Sequence, residues 1–151
     1  MSEEIDTGPI LSRALSRGCS VFVPRITDYR RSRMRFLPLA GPMRRGGYGI
    51  LEPGTGITRS ARSLHVVLMP LVGFDRRGYR IGMGKGYYDR ALAFRRGQRH
   101  WHAPLLAGLA FECQGVESLP ARAHDVPLDR LVTEAATRRF PRNILPPGTA
   151  P

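Results

Sequence analysis

Leu64-His65-Val66-Val67-Leu68-Met69-Pro70-Leu71-Val72-Gly73-Phe74, followed by Asp75-Arg76-Arg77-Gly78 and then Arg80-Ile81-Gly82-Met83-Gly84-Lys85-Gly86-Tyr87-Tyr88-Asp89, is the stretch that decides the fold. Its first part is the most apolar run of the chain. A short apolar run bounded by turn residues predicts a central strand buried on both faces, as in a parallel sheet. Asp75 to Gly78 reads as a turn. Three alternating glycines then lead into a segment, Tyr87 to Phe94, that predicts a helix opening directly from the loop. Strand, glycine loop and helix, in that order, suit an α/β protein.

The flanking sequence extends the pattern. Upstream, Asp6-Thr7 followed by Pro9 predicts a helix start, with a capping side chain and proline in the first turn. Ile10, Leu11, Ala14 and Leu15 share one helical face, and Gly18 ends the helix. Val21 to Pro24 reads as a buried strand, and Met34 to Pro38 alternates as a second strand nearer an edge. Residues 39–62 are rich in Gly, Pro and Arg and read as a long loop around Gly49 to Pro53. Downstream, Leu105 to Phe111 predicts another buried strand and Arg130 to Glu134 a last short one. Strands alternating with helices point to an α/β sandwich with a mainly parallel sheet. We expect one domain over 1–140, and a disordered, proline-rich tail over 141–151.

Bulk properties narrow the class. A chain of 151 residues fits one domain, and 42% apolar residues is the composition of a globular protein. No apolar run approaches the roughly 18 residues of a membrane span. The acidic start, Met1-Ser2-Glu3-Glu4-Ile5-Asp6, is no secretory signal. Cys19 and Cys113 fit no metal or redox spacing, so we expect free thiols, small and buried, in a reducing cytoplasm. The net charge of +12 raises the question of nucleic acid. The arginines fall in small scattered groups rather than one basic block, which argues against nucleic acid as the main partner. A positive surface would still concentrate an anionic substrate.

The glycine loop carries the chemistry. Gly82, Gly84 and Gly86 let backbone N–H groups approach an anion, and a helix start just beyond adds its positive end. Of 24 lysine and arginine residues, every one but Lys85 is arginine. Lys85 can offer a mobile ammonium to phosphate oxygens. Two familiar patterns are absent: a P-loop needs Ser or Thr where Gly86 stands, and the dinucleotide fingerprint needs Gly or Ala where Tyr87 stands. The bare spacing serves a tight β-to-α turn as well as a phosphate site. Asp89 is either a first-turn capping acid or a Mg²⁺ ligand; Asp125 is a second candidate ligand. Tyr87 and Tyr88 suit the core or a stacking surface. His65 reads as a hydrogen-bonded core histidine, and His100-Trp101-His102 as a surface loop lacking a third ligand.

The residues from Met69 to Arg90 resemble the signature of the 5-formyltetrahydrofolate cyclo-ligase family, and Gly108 to Phe111 followed by His124 to Asp129 resembles its second signature. Glu4 to Thr7, Val23 to Arg25 and Gly49 to Pro53 are similar to its earlier landmarks. The resemblance spans residues 3–135 and implies a three-layer α/β fold. It implies an ATP- and Mg²⁺-dependent conversion of 5-formyltetrahydrofolate to 5,10-methenyltetrahydrofolate, releasing ADP and phosphate. Arg80, Ile81, Gly82, Met83, Gly84, Lys85, Gly86, Tyr87 and Tyr88 would hold ATP, with Lys85 and Arg80 as catalytic cations. Met83 to Tyr87 and Glu4 would face the folate, and Asp89 and Asp125 would bind Mg²⁺. A cytoplasmic monomer acting on a small molecule, away from membranes, is expected. Family members usually carry about fifty more N-terminal residues, within the ordinary size range of a domain. Their absence would leave apolar surface and a strand edge uncovered. Three alternatives stay open: another nucleotide-dependent enzyme on the scaffold, an inactive shortened homologue, or a basic nucleic-acid-associated protein.

Overall fold

The computed structural model describes residues 5–46, 51–82, 84–96 and 104–141. Helix α1, Gly8–Ser16, forms as expected, with Pro9 in its first turn. The cap comes from Asp6, whose Oδ1 accepts the Gly8 N–H at 2.8 Å, and not from the Thr7 side chain. Gly18, at φ +76°, turns the chain out of the helix. The apolar face stays open: α1 buries no residue, and Ile10 and Leu15 are 43% and 46% exposed.

Strands β1 (Phe22–Asp28) and β2 (Arg33–Pro38) form an antiparallel ribbon in which Phe22 faces Pro38 and Ile26 faces Met34. The strand expected at Val21 to Pro24 is longer than its apolar core and only half-buried. β2 carries the burial, through Met34, Phe36 and Leu37. The region read as one long loop contains two strands, β3 (Met43–Arg45) and β4 (Leu51–Pro53), paired antiparallel. Three-residue strands have no periodicity to read, and the arginines of β3 are exposed.

The main sheet has the order β11-β10-β8-β5. Strands β5 (Val66–Met69), β8 (Leu105–Leu109) and β10 (Arg130–Val132) run parallel, and β11 (Thr137–Arg139) adds antiparallel to β10. The α/β class with a mainly parallel sheet therefore stands. Parallel neighbours require crossovers, and the one from β5 to β8 contains the glycine loop. The apolar run 64–74 is not one central strand. It breaks at Pro70 into β5 and a second strand, β6 (Gly73–Asp75). Among the described residues β5 ends the sheet order; Val67 and Met69 are buried while Val66 is 52% exposed. The interior place belongs to β8. A Cβ on Gly108 would lie 2.7 Å from Leu71 Cδ2 and from Leu128 Cδ1, so the sheet packs directly on bare backbone there. His65 precedes β5 and is exposed, correcting the expectation of a core histidine.

A fourth sheet has the order β7-β6-β9, with β7 at Arg80–Ile81 and β9 at Gly115–Val116. The turn at Asp75 to Gly78 is confirmed as the β6–β7 hairpin. Gly78, at φ +86° with the Phe140 ring against it, can be no other residue without strain. Helix α2, Tyr87–Ala91, is shorter than the expected 87–94 and passes into a 3-10 turn at Ala93–Arg95. Leu92 between them is fully buried and joins Leu71, Phe74, Leu106, Leu128 and Leu131 in the core. Cys19 and Cys113 are free, as expected, but exposed rather than buried. The segment 142–151, predicted as a tail, and His100 and His102 lie outside the described residues. Among those described, no helix is long and apolar enough to cross a membrane.

Buried charge ties the sheets together. Asp75, wholly inaccessible, accepts from the Arg77 N–H at 2.9 Å, its Nε at 3.0 Å, the Tyr79 N–H at 3.0 Å and the Leu119 N–H at 3.1 Å. Asp129, 3% exposed, accepts from Arg95 Nη2 at 2.8 Å and from the Leu106 N–H at 2.8 Å. No buried side-chain polar atom among the described residues lacks a partner.

Candidate active site

The glycine loop leaves β7 beside the carboxyl end of β5. Val72 N–H donates to the Ile81 carbonyl at 2.9 Å, and a Cβ on Gly82 would lie 3.8 Å from the Pro70 carbonyl oxygen. Open α/β sheets place ligands just outside the carboxyl ends of their strands. Gly84 (φ +76°) and Gly86 (φ +63°) are both left-handed. Such glycines build the concave backbone turns that receive anions. Open space adjoins Gly84, where an added Cβ would meet nothing within 4 Å. Lys85 between them is exposed, and its carbonyl accepts from Arg90 Nη1 at 2.8 Å, pinning the loop to α2. Because α2 has only five residues, its dipole is weak, and any attraction of an anion to this loop would rest on the loop amides and Lys85.

Asp89 sits in the first turn of α2, where a carboxylate is favoured. Its Oδ1 accepts from Arg80 Nη2 at 3.2 Å and from the Val126 N–H at 3.0 Å, and its Oδ2 lies 3.3 Å from the same Nη2. Arg80 Nη1 donates to the Val126 carbonyl at 2.7 Å. The structure thus brings the loop against the segment that carries Asp125. That segment is also held by Arg96 Nη1 on the His124 carbonyl at 3.0 Å and by Leu128 N–H on the Gly78 carbonyl at 2.9 Å. Asp125 is half-buried; its Oδ2 accepts the Arg122 N–H at 2.8 Å, and its Oδ1 is 3.7 Å from His124 Nε2. Burial pushes the Tyr79 phenol above its usual pKa; the Arg77 charge opposes this, and the charges of Asp75 and Asp125 add to it. Tyr79, directly before Arg80, is therefore neutral at neutral pH.

Of the residues expected in the site, Arg80, Ile81, Gly82, Gly84, Lys85, Gly86, Tyr87, Tyr88 and Asp89 lie along one stretch of chain, and Arg80 and Asp89 bond to Val126, the neighbour of Asp125. Tyr87 and Tyr88 are partly buried and pack on the core. Glu4 and Met83 lie outside the described residues. The backbone of Val126, which joins the two acidic positions, was not visible as a site element. The only sequence signal was its place inside His124-Asp125-Val126-Pro127-Leu128-Asp129. For a divalent cation, Asp89 and Asp125 offer hard oxygen donors, and each carboxylate keeps lone pairs beyond its hydrogen bonds. No group of three or more candidate ligands occurs among the described residues, so the protein supplies no complete cage there. One or two such carboxylates would suit Mg²⁺, with phosphate oxygens and water as its remaining ligands.

Fold and site define a class: an α/β protein with a left-handed glycine loop held against an acidic segment. The model of the 5-formyltetrahydrofolate cyclo-ligase family matches residues 1–134, and the chain belongs to that family. It is 35% identical over 132 residues to a 5-formyltetrahydrofolate cyclo-ligase of Haemophilus influenzae, covering 83% of this chain and 67% of that protein. The enzyme of the same name from Escherichia coli K12 is 33% identical over 134 residues, covering 86% and 71%. By name these relatives are ligases. The NMR structure of a 5,10-methenyltetrahydrofolate synthetase from Aquifex aeolicus superposes with a TM-score of 0.69 at 32% identity, covering 91% of this chain and 66% of that one. The chain thus spans about two thirds of the length of the proteins it matches. Family and relatives indicate cyclo-ligase activity.

Proposed function

We propose that this chain catalyses the ATP- and Mg²⁺-dependent cyclisation of 5-formyltetrahydrofolate to 5,10-methenyltetrahydrofolate, with release of ADP and phosphate. The observation that carries the reading is the pair of left-handed glycines around Lys85, set beside the carboxyl end of β5 and tied to the Asp125 segment. A formyl oxygen is a poor leaving group. Transfer of the γ-phosphoryl group of ATP to that oxygen would activate the carbon; N10 would then attack it, phosphate would leave, and the N10 proton would pass to solvent. Phosphoryl transfer asks the protein for alignment and charge neutralisation, not for a nucleophile. The amides of Gly82 to Tyr88 would bind phosphate oxygens, and Lys85 would follow the charge that develops on them. Asp89 and Asp125 would hold Mg²⁺, which neutralises phosphate charge when bound. Tyr87 offers an aromatic face to the folate. Cys19 and Cys113, both free thiols, support a reducing, cytoplasmic setting.

The direct test is absorbance of the methenyl product with purified protein, 5-formyltetrahydrofolate, ATP and Mg²⁺. The expected result is a rise that stops when either ATP or Mg²⁺ is withheld. Folded protein that gives no rise would contradict the assignment.

A further inference from the structure

Arg80 and Asp89 hold both backbone groups of one residue, Val126. Asp89 Oδ1 takes the Val126 N–H at 3.0 Å, Arg80 Nη1 gives to the Val126 carbonyl at 2.7 Å, and Arg80 Nη2 meets Asp89 at 3.2 Å, closing the ring. The pair is largely removed from water, with side chains 7% and 18% exposed. Two other Arg–Asp pairs hold backbone in the same way: Arg95–Asp129 grips Pro104 and Leu106, and Arg77–Asp75 grips Leu119. What distinguishes the Arg80 pair is the residue it holds, Val126, which is bonded directly to Asp125. The Val126 side chain is itself buried in the core, so its backbone is the joint between core and site.

We propose that Arg80 is a positioning residue which, together with Asp89, grips the Val126 backbone on both sides and fixes Asp125 beside the glycine loop. It deepens the functional reading above and rests on it for the metal and the nucleotide. The role differs from that of a phosphate ligand. A nearly buried guanidinium whose Nη1 and Nη2 are both engaged by protein is directed at Val126 and Asp89. Loss of the grip leaves the loop amides and Lys85 in place but lets Asp125 drift, so the carboxylate contribution to Mg²⁺ binding falls while phosphate contacts persist. A planar fork with parallel donors is needed to bridge a carbonyl and a carboxylate, and lysine cannot replace it.

The test has two arms on the full chain. In nucleotide-free protein, amide hydrogen exchange reads the grip itself: the Val126 amide is protected in wild type and loses protection in Arg80→Ala and Asp89→Ala. Unchanged protection in Arg80→Ala overturns the proposal. In the second arm, a fluorescent ATP analogue is bound with and without Mg²⁺. Arg80→Ala raises the Mg²⁺ concentration for half-maximal binding about tenfold, as removal of a group orienting a metal ligand does, and leaves metal-free binding unchanged. Arg80→Lys behaves like Arg80→Ala. Weakened metal-free binding that Arg80→Lys restores would make Arg80 a phosphate ligand and overturn the proposal. Wild-type protein that binds no analogue at all refutes the nucleotide reading instead, and exchange at Val126 then decides the grip alone.

Discussion

The glycine loop and the arginine–aspartate ties beneath it are built on opposite principles. The loop uses residues with no side chain, holds Gly84 and Gly86 in left-handed conformations, and leaves Lys85 exposed. The ties use long charged side chains, bury their aspartates, and leave no buried side-chain polar atom among the described residues without a partner; Asp75 and Asp129 are 0% and 3% exposed. An anion site must stay accessible and polar, which costs stability locally. Buried pairs are tolerable only when fully bonded, and they fix geometry in return. Substitutions should therefore divide: those in the Arg77–Asp75 and Arg95–Asp129 ties act on the fold, those in the loop act on binding, and those in the Arg80–Asp89 tie, which holds Val126 next to Asp125, act on metal binding as well.

The largest effect on the fold is expected at Asp129. Asp129→Ala strands the Arg95 guanidinium and the Leu106 N–H, and should cost about 3–5 kcal/mol in urea unfolding, the usual result of removing one partner of a buried pair. A loss below about 1 kcal/mol would mean that this tie carries little of the fold. Next is Gly108→Ala, which drives a methyl to 2.7 Å from Leu71 and Leu128. Overpacking of that kind should cost about 1–3 kcal/mol. Lys85→Ala should sharpen the contrast by changing stability by no more than about 0.5 kcal/mol, as exposed substitutions do. Its turnover should nevertheless fall by about 10²-fold or more, the scale for losing one preorganised charge-stabilising donor. A mutant that unfolds, or one that keeps wild-type turnover, would erase the distinction between loop and ties.

The smallest expected effect is a pH dependence. Arg138, donating to Glu112, holds that carboxyl below its usual value of 4.5, and the Thr133 hydroxyl adds to the shift. A depressed carboxylate contributes stability above its unfolded pKa and loses it as pH falls through the folded one. The Tm difference between wild type and Glu112→Gln should therefore be constant near neutrality and close in acid below about 4.5. A difference that persists through the acid range would show that the pair contributes by packing alone.

The loop was legible in the sequence because its signal is local. Glycine at 82, 84 and 86, one lysine, and a helix start at Tyr87 are written in consecutive residues. The ties were not, because they join residues far apart: Arg80 with Val126, Arg95 with Asp129, Arg77 with Leu119. An aspartate in a turn or at a strand start looks the same whether it is solvated or buried under an arginine. The same limit explains the strands. β8 and β10 carried apolar runs and were found; β3, β9 and β11 are two or three residues long, too short for a pattern of their own, and exist through pairing with β4, β6 and β10. The run 64–74 misled in a different way. Its composition suited a strand buried on both faces, but Pro70 divides it between two sheets, and β5 presents Val66 to solvent. Helix α1 was read correctly from its own periodicity, yet nothing in that periodicity says what its apolar face meets.

The measurement that tests the central claim most directly is an amide NMR titration of the chain with Mg²⁺ and a non-hydrolysable ATP analogue. The account predicts saturable shifts at Gly82, Gly84, Lys85 and Gly86 and at Asp125 and Val126, with little change at Asp75 or around the polar cleft of about 560 Å³ lined by Phe74, Glu112, Glu117 and Arg138. Shifts centred on that cleft, with the glycine loop undisturbed, would contradict it.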